Sequence, residues 1–157
     1  MIKVLRIGTY PTSEFKSMGK NSFMISGMES VFTTFVTPEY PGKIFPPKKN
    51  TDVISIPFLI QPSPKGAYRI IHEFKRIFWI IKFSFEALFI LERTQPKIVH
   101  IHSPMFFLIA IYARFKQVRC YITYHGNEHT FIYSNFLIGS LFNWVFHKTF
   151  SLSSQIH

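Results

Sequence analysis

Cysteine is almost missing from this sequence: Cys120 is the only one in 157 residues. One thiol excludes an internal disulfide framework and suits a reducing compartment. Because it lies in an apolar run, it reads as a buried, inert side chain rather than a nucleophile. Acidic residues are sparse too, 8 against 18 lysines and arginines. A two-carboxylate glycoside-hydrolase site therefore has few candidates: Glu14, Asp52 and Glu128. No nucleophilic catalytic set stands out, and Ser103, just before Pro104, reads as a helix cap. Long hydrophobic runs are also lacking. The greasiest stretch, residues 77–91, holds Lys82 and Glu86 and is shorter than the roughly 20 apolar residues of a spanning helix. Residues 1–7 carry Lys3 and Arg6 with no small-residue cleavage site after them, so no secretory leader is read there. Gly-x-Gly-x-x-Gly is absent. The phosphate-loop pattern around Gly19-Lys20-Asn21 fails as well, with Glu14 where a glycine is required and Asn21 in the Ser/Thr slot.

The chain is 47% hydrophobic and contains 19 phenylalanines, enough for one domain with a substantial aromatic interior or an exposed sticky face. The net charge of +10 favours polyanions: nucleic acid, phosphorylated substrates or an anionic bilayer surface. The cations are spread along the chain with no basic run and no nucleic-acid motif, which argues against nucleic acid as the partner. An ordinary solvated basic surface stays open as the alternative.

Composition and breakers predict strands at residues 2–9, 30–37, 52–58, 97–103, 119–124 and 149–153. Pro57 places the third near a sheet edge, because proline cannot donate to a ladder. Helices are predicted at 17–28, 67–93, 104–115 and 135–147. In the long one, Ile70, Ile71, Phe74, Ile77, Phe78, Ile81, Phe85, Leu88 and Phe89 follow helical spacing and read as the core stripe. Trp79, Ile80, Phe83 and Ile90 add grease outside it, and Lys82 and Glu86 form a same-face pair. Strand–helix alternation predicts an α/β fold, a doubly wound parallel sheet with helices on both faces.

Two strand ends carry ligand-capable residues just before a helix: residues 97–104 (KIVHIHSP) and 121–128 (YITYHGNE). In open parallel sheets, sites form at such carboxyl ends. His100 and His102, two apart on a strand, project to one face. His100 reads either as a satisfied buried histidine or as a ligand group, and for His102 near the strand end the two readings are even. His125 and His129 are four apart, yet no cysteine pair or matching carboxylates accompany these histidines, which disfavours zinc. His125-Gly126 pairs a group able to donate to a phosphate or sugar hydroxyl, or to move protons near neutral pH, with a residue that permits close backbone approach. Asn127 and Glu128 add groups suited to sugar hydroxyls, and a tight exposed turn is the alternative. The turn at Gly19 and Lys20, after the first strand, is either a ligand contact or a simple helix start.

In its opening strand and Gly19 loop, the strand ending at Thr37-Pro38, the His-x-His-Ser-Pro element at 100–104 and the Thr-x-His-Gly element at 123–126, the chain resembles the N-terminal domain of family 4 glycosyltransferases. The likeness spans nearly the whole chain. It implies one Rossmann-like domain over residues 1–157, the acceptor-side half of a retaining, two-domain GT-B enzyme. By position, His125 would be the catalytic group in the cleft. Gly19 and Lys20 would lie by donor phosphates or acceptor, His102 and Ser103 would line the acceptor side, and Gly126, Asn127 and Glu128 would complete the binding edge. The implied partners are a nucleotide-sugar donor and a glycan or lipid-linked acceptor, as in surface polysaccharide synthesis, with no metal or other cofactor and no nucleic acid. The place implied is the cytoplasm. The greasy helix with Arg69, Lys75, Arg76 and Lys82 either lies on an anionic membrane surface or packs between sheet and second domain. Two departures stand out: Met18 replaces the first of the family's two adjacent glycines, and no Glu-x7-Glu donor-binding segment occurs in these residues. The sequence therefore predicts a half that is inactive without a donor domain. A non-catalytic remnant, or a protein that only binds a glycan or partner, is the alternative.

Overall fold

The computed structural model of the chain describes residues 1–8, 10, 12, 29–39, 42–57, 68–123, 136–152 and 155–156. Within them lie strands β1 (Ile2–Ile7), β2 (Val31–Pro38), β3 (Thr51–Ile56), β4 (Ile98–Ile101), β5 (Arg119–Ile122) and β6 (Gln155–Ile156). Helices α1 (Tyr68–Thr94), α2 (Phe107–Phe115) and α3 (Phe136–Leu152) connect them. All strand pairs are parallel, in the order β3-β2-β1-β4-β5-β6. The chain winds outward from β1 through β2 to β3, and α1 then carries it back across the sheet to β4. This reversal puts the topological switch between β1 and β4, where Leu5 pairs with Val99 and Ile7 with Ile101. The fold is α/β and Rossmann-like, as the alternation of elements predicts. β3 is an edge strand that ends at Ile56, immediately before Pro57.

Right-handed crossovers from β3 to β6 place the three helices on one face of the sheet, where α2 packs between α1 and α3. Under them lie Leu5, Ile7, Val36, Val99, Ile101 and Ile122, sealed by Ile80, Phe83, Ala87 and Leu91 of α1, Ile109 and Ala110 of α2, and Phe146 of α3. Cys120 belongs to this core. Burial pushes its thiol up to about 12, so it is inert at neutral pH. The helix expected over 17–28, which the doubly wound reading puts on the opposite face, lies outside the described residues.

Three features differ from the sequence reading. First, α1 is turned over. Ile71, Phe74, Phe78, Ile81, Phe85 and Phe89 are exposed, whereas Ile80, Phe83, Ala87 and Leu91 face the sheet. Ile77 and Leu88 pack at the border, and the side chain of Ile70 lies outside the described ones. The inner face holds the small residues Ser84 and Ala87, which let the helix backbone approach the strands. The Ser84 hydroxyl donates to the Ile80 carbonyl at 2.7 Å, so its burial leaves no polar group unsatisfied. The expected Lys82–Glu86 pair forms at 3.6 Å.

Second, α2 begins at Phe107 rather than at Pro104, with no side-chain cap at Phe106. Ser103 closes the turn before it instead: its carbonyl accepts from the Phe106 amide at 3.3 Å and its hydroxyl from the Met105 amide at 3.4 Å. Phe106, stacked on Phe83 with centroids 4.9 Å apart, is drawn into the core and out of the helix. Third, α3 runs to Leu152, and the last strand is Gln155–Ile156, not 149–153. Thr149, a β-branched residue that signals a strand, shares its hydroxyl hydrogen between the carbonyls of Val145 at 2.7 Å and Pro104 at 2.9 Å. That bond to Pro104 is tertiary and holds the last helical turns in place.

Candidate functional site

Strand alternation gives the sheet a second face unlike the first. On it stand Arg6, Phe35, Thr37, His100, His102 and Thr123, interleaved with the core residues. Arg6 is 5% exposed. Its guanidinium lies 5.2 Å from the centre of the Phe35 ring, which Tyr10 meets edge-on at 5.1 Å. Tyr10 in turn donates its amide to the Thr37 hydroxyl at 3.1 Å. Across the β1/β4 switch, Arg6 Nη2 donates to His102 Nε2 at 3.1 Å. Guanidinium has donors only, so Nε2 must accept, and the His102 proton sits on Nδ1. The His102 ring stacks on His100 at 4.3 Å, and His100 Nε2 shares a 2.7 Å hydrogen bond with the Thr123 hydroxyl at the end of β5.

Gly8 completes the switch. A methyl group there would come within 2.7 Å of His102 Cβ and 2.9 Å of its ring, so only glycine lets the imidazole lie against the end of β1. Backbone bonds hold the same corner, with the His102 amide on the Ile7 carbonyl at 2.8 Å and the Thr123 amide on the Ile101 carbonyl at 2.9 Å. Burial lowers Arg6 to about 10, a value that still leaves it charged at neutral pH. A fixed cation beside an imidazole in its Nδ1–H form, at the carboxyl ends of strands, can orient a hydroxyl-rich or anionic ligand.

Of the residues singled out from sequence, His100 and His102 lie together on this face, as their spacing of two predicts. Ser103 is half-buried in the following turn, one step from His102. Gly19, Lys20, His125, Gly126, Asn127 and Glu128 lie outside the described residues, as does His129. Among the described residues, no three His, Cys, Asp or Glu side chains gather closely enough to hold a metal ion. Sequence reading missed Arg6 and Gly8. The available signal was a charge inside an otherwise apolar strand, followed by a glycine at the strand end.

The family model for Glycosyltransferase Family 4 matches residues 30–156, most of the chain. The chain belongs to glycosyltransferase family 4. No curated protein matches it. Among solved structures it is similar to a UDP-GlcNAc 2-epimerase from Neisseria meningitidis bound to UDP-GlcNAc, with 12% identity and a TM-score of 0.48. That match covers 98% of this chain, which spans 39% of the epimerase.

Proposed function

We propose that this domain is the acceptor-side half of a retaining glycosyltransferase that moves a sugar from a nucleotide-sugar to a glycan or lipid-linked acceptor, in surface polysaccharide synthesis at the cytoplasmic side of the membrane. The observation that carries the reading is the Arg6–His102 pair at the β1/β4 switch, in a chain of this family. In this reading the acceptor lies along the carboxyl ends of β1, β4 and β5. His102, with its hydrogen on Nδ1, orients the acceptor, and Ser103 adds a short polar contact. Gly19 and Lys20 leave room for, and draw in, the donor diphosphate. His125 is the catalytic group beside the transferred sugar, with Gly126, Asn127 and Glu128 around its hydroxyls. The bond from the anomeric carbon to the diphosphate breaks, the acceptor oxygen bonds that carbon, and the acceptor proton leaves with the departing phosphate. A second, donor-binding domain supplies most nucleotide contacts, and holding both substrates together supplies much of the rate.

The test is a nucleotide-sugar panel turned over by this domain together with a Glu-x7-Glu donor domain, scored by sugar transferred to glycan and lipid-linked acceptors. Turnover that needs both halves, and that falls about 100-fold or more in His125→Ala, is the expected result. Glycan binding without turnover in the presence of a donor domain overturns the enzyme reading in favour of a binding protein.

A further inference from the structure

The outer face of α1 is apolar, and among the described residues nothing packs on it. Ile71, Phe74, Phe78, Ile81, Phe85 and Phe89 recur every three or four residues and are 38–76% exposed. An aromatic side chain presents about 150–250 Å², so the four phenylalanines alone leave roughly 500 Å² uncovered. A monomeric surface seldom tolerates a contiguous apolar patch of that size without a use for it. The neighbouring helices also carry exposed apolar side chains, Ile111 and Phe115 on α2 and Trp144 on α3, at 45%, 78% and 54%. α2 is tied alongside by Glu92, which accepts from Tyr112 and pairs with Lys116 at 2.8 Å.

Charge identifies the occupant. Exposed Lys75 and Arg93 on α1 and Arg114 on α2 border the stripe, beside Lys82 and Lys116, whose charges are met by Glu86 and Glu92, in a chain of net charge +10. A second copy would bring these cations against their own kind, whereas an anionic bilayer complements them. Aromatic side chains beside lysine and arginine on one helix are the composition of a helix that lies in the membrane interface. Among the described residues no helix is long and apolar enough to cross a membrane. We infer that the outer face of the helix layer, centred on the α1 stripe, docks the domain on an anionic lipid surface with α1 parallel to the bilayer plane. The opposite face of the sheet, with Arg6 and His102, then points away from the lipid. The inference stands apart from sugar transfer, and vesicle binding is read without any sugar donor.

Flotation of the full chain with phosphatidylglycerol/phosphatidylcholine vesicles tests it, against vesicles of phosphatidylcholine alone. The chain is expected to float with the anionic vesicles, to release as salt shortens the screening length, and to stay at the bottom with the neutral ones. Phe78→Ser with Phe85→Ser should lower partitioning about tenfold or more. Lys75→Gln with Arg93→Gln should lower it roughly fivefold per charge removed, and this pair serves if the first fails to keep the native circular dichroism. No flotation of the folded chain, equal flotation on neutral lipid, or unchanged flotation of both variants overturns the inference. So does a dimer that Phe78→Ser with Phe85→Ser dissociates in a chain that ignores vesicles, which would assign the face to a second copy.

Discussion

Consecutive residues of the same strands live in two unlike places. On β1, Leu5 and Ile7 are fully buried beneath α1 and its neighbours, while Arg6 between them points to the other face and reaches His102. On β4, Val99 and Ile101 fill the core while His100 and His102 stack beside Arg6. The apolar face depends on shape and volume, so its residues can be exchanged only for others that pack. The polar face depends on donors and acceptors, and on the glycine that leaves them room. Apolar packing and polar contacts are thus divided between the two sides of one sheet, and Arg6, His100 and His102 meet at the β1/β4 pairing.

A pair of phenylalanines on α1 gives the strongest test of that division. Phe83 is fully buried between Trp79 and Phe106, whereas Phe85, two residues on, is 54% exposed. Phe83→Ala should cost about 3–5 kcal/mol in urea unfolding, and Phe85→Ala about 0.5 kcal/mol or less. Equal costs would mean that α1 is not oriented as described. On the polar side, Gly8→Ala forces a methyl group into His102. It should cost about 1–3 kcal/mol and shift the His102 imidazole resonances in NMR spectra. If both readouts stay at the wild-type value, the glycine does not set the position of that ring.

The smallest effect concerns Cys120. Its thiol ionises near 9.0 in the unfolded chain and only near 12 in the core. The folded state therefore holds its proton more tightly, so stability is complete below pH 9 and declines as pH rises toward 12. The loss should reach about 1 kcal/mol by pH 10, and it should vanish in Cys120→Ala. Wild type and variant with identical pH profiles between 8 and 10 would show that the thiol is not sealed in the apolar face.

Much of the architecture was legible from local signals. The β-branched and aromatic run of β2, the proline after β3 and the uninterrupted span of α1 each depend on short-range preferences, and each element formed close to its expected bounds. The common side of His100 and His102 follows from the period of a strand. Family membership agrees with the resemblance read from the strand ends. The inner side of α1 was not legible, because a helix that is apolar nearly all round has no unique stripe. Small Ser84 and Ala87 decide it only once there is a sheet to approach. Thr149 and Phe150 resemble a strand in isolation and are helical because Pro104, far away in sequence, accepts the Thr149 hydroxyl. Arg6 entered the sequence reading only as one of two charges in residues 1–7, and its partner stands 96 residues further on.

Element types, their order and the parallel α/β plan were thus written in this chain's residue spacing, since those depend on neighbours a few positions apart. Which side of α1 meets the sheet, where α3 ends, and the meeting of Arg6 with Gly8 and His102 required the folded molecule. Each turns on a contact between residues that only the β1/β4 pairing and the helix layer bring within reach.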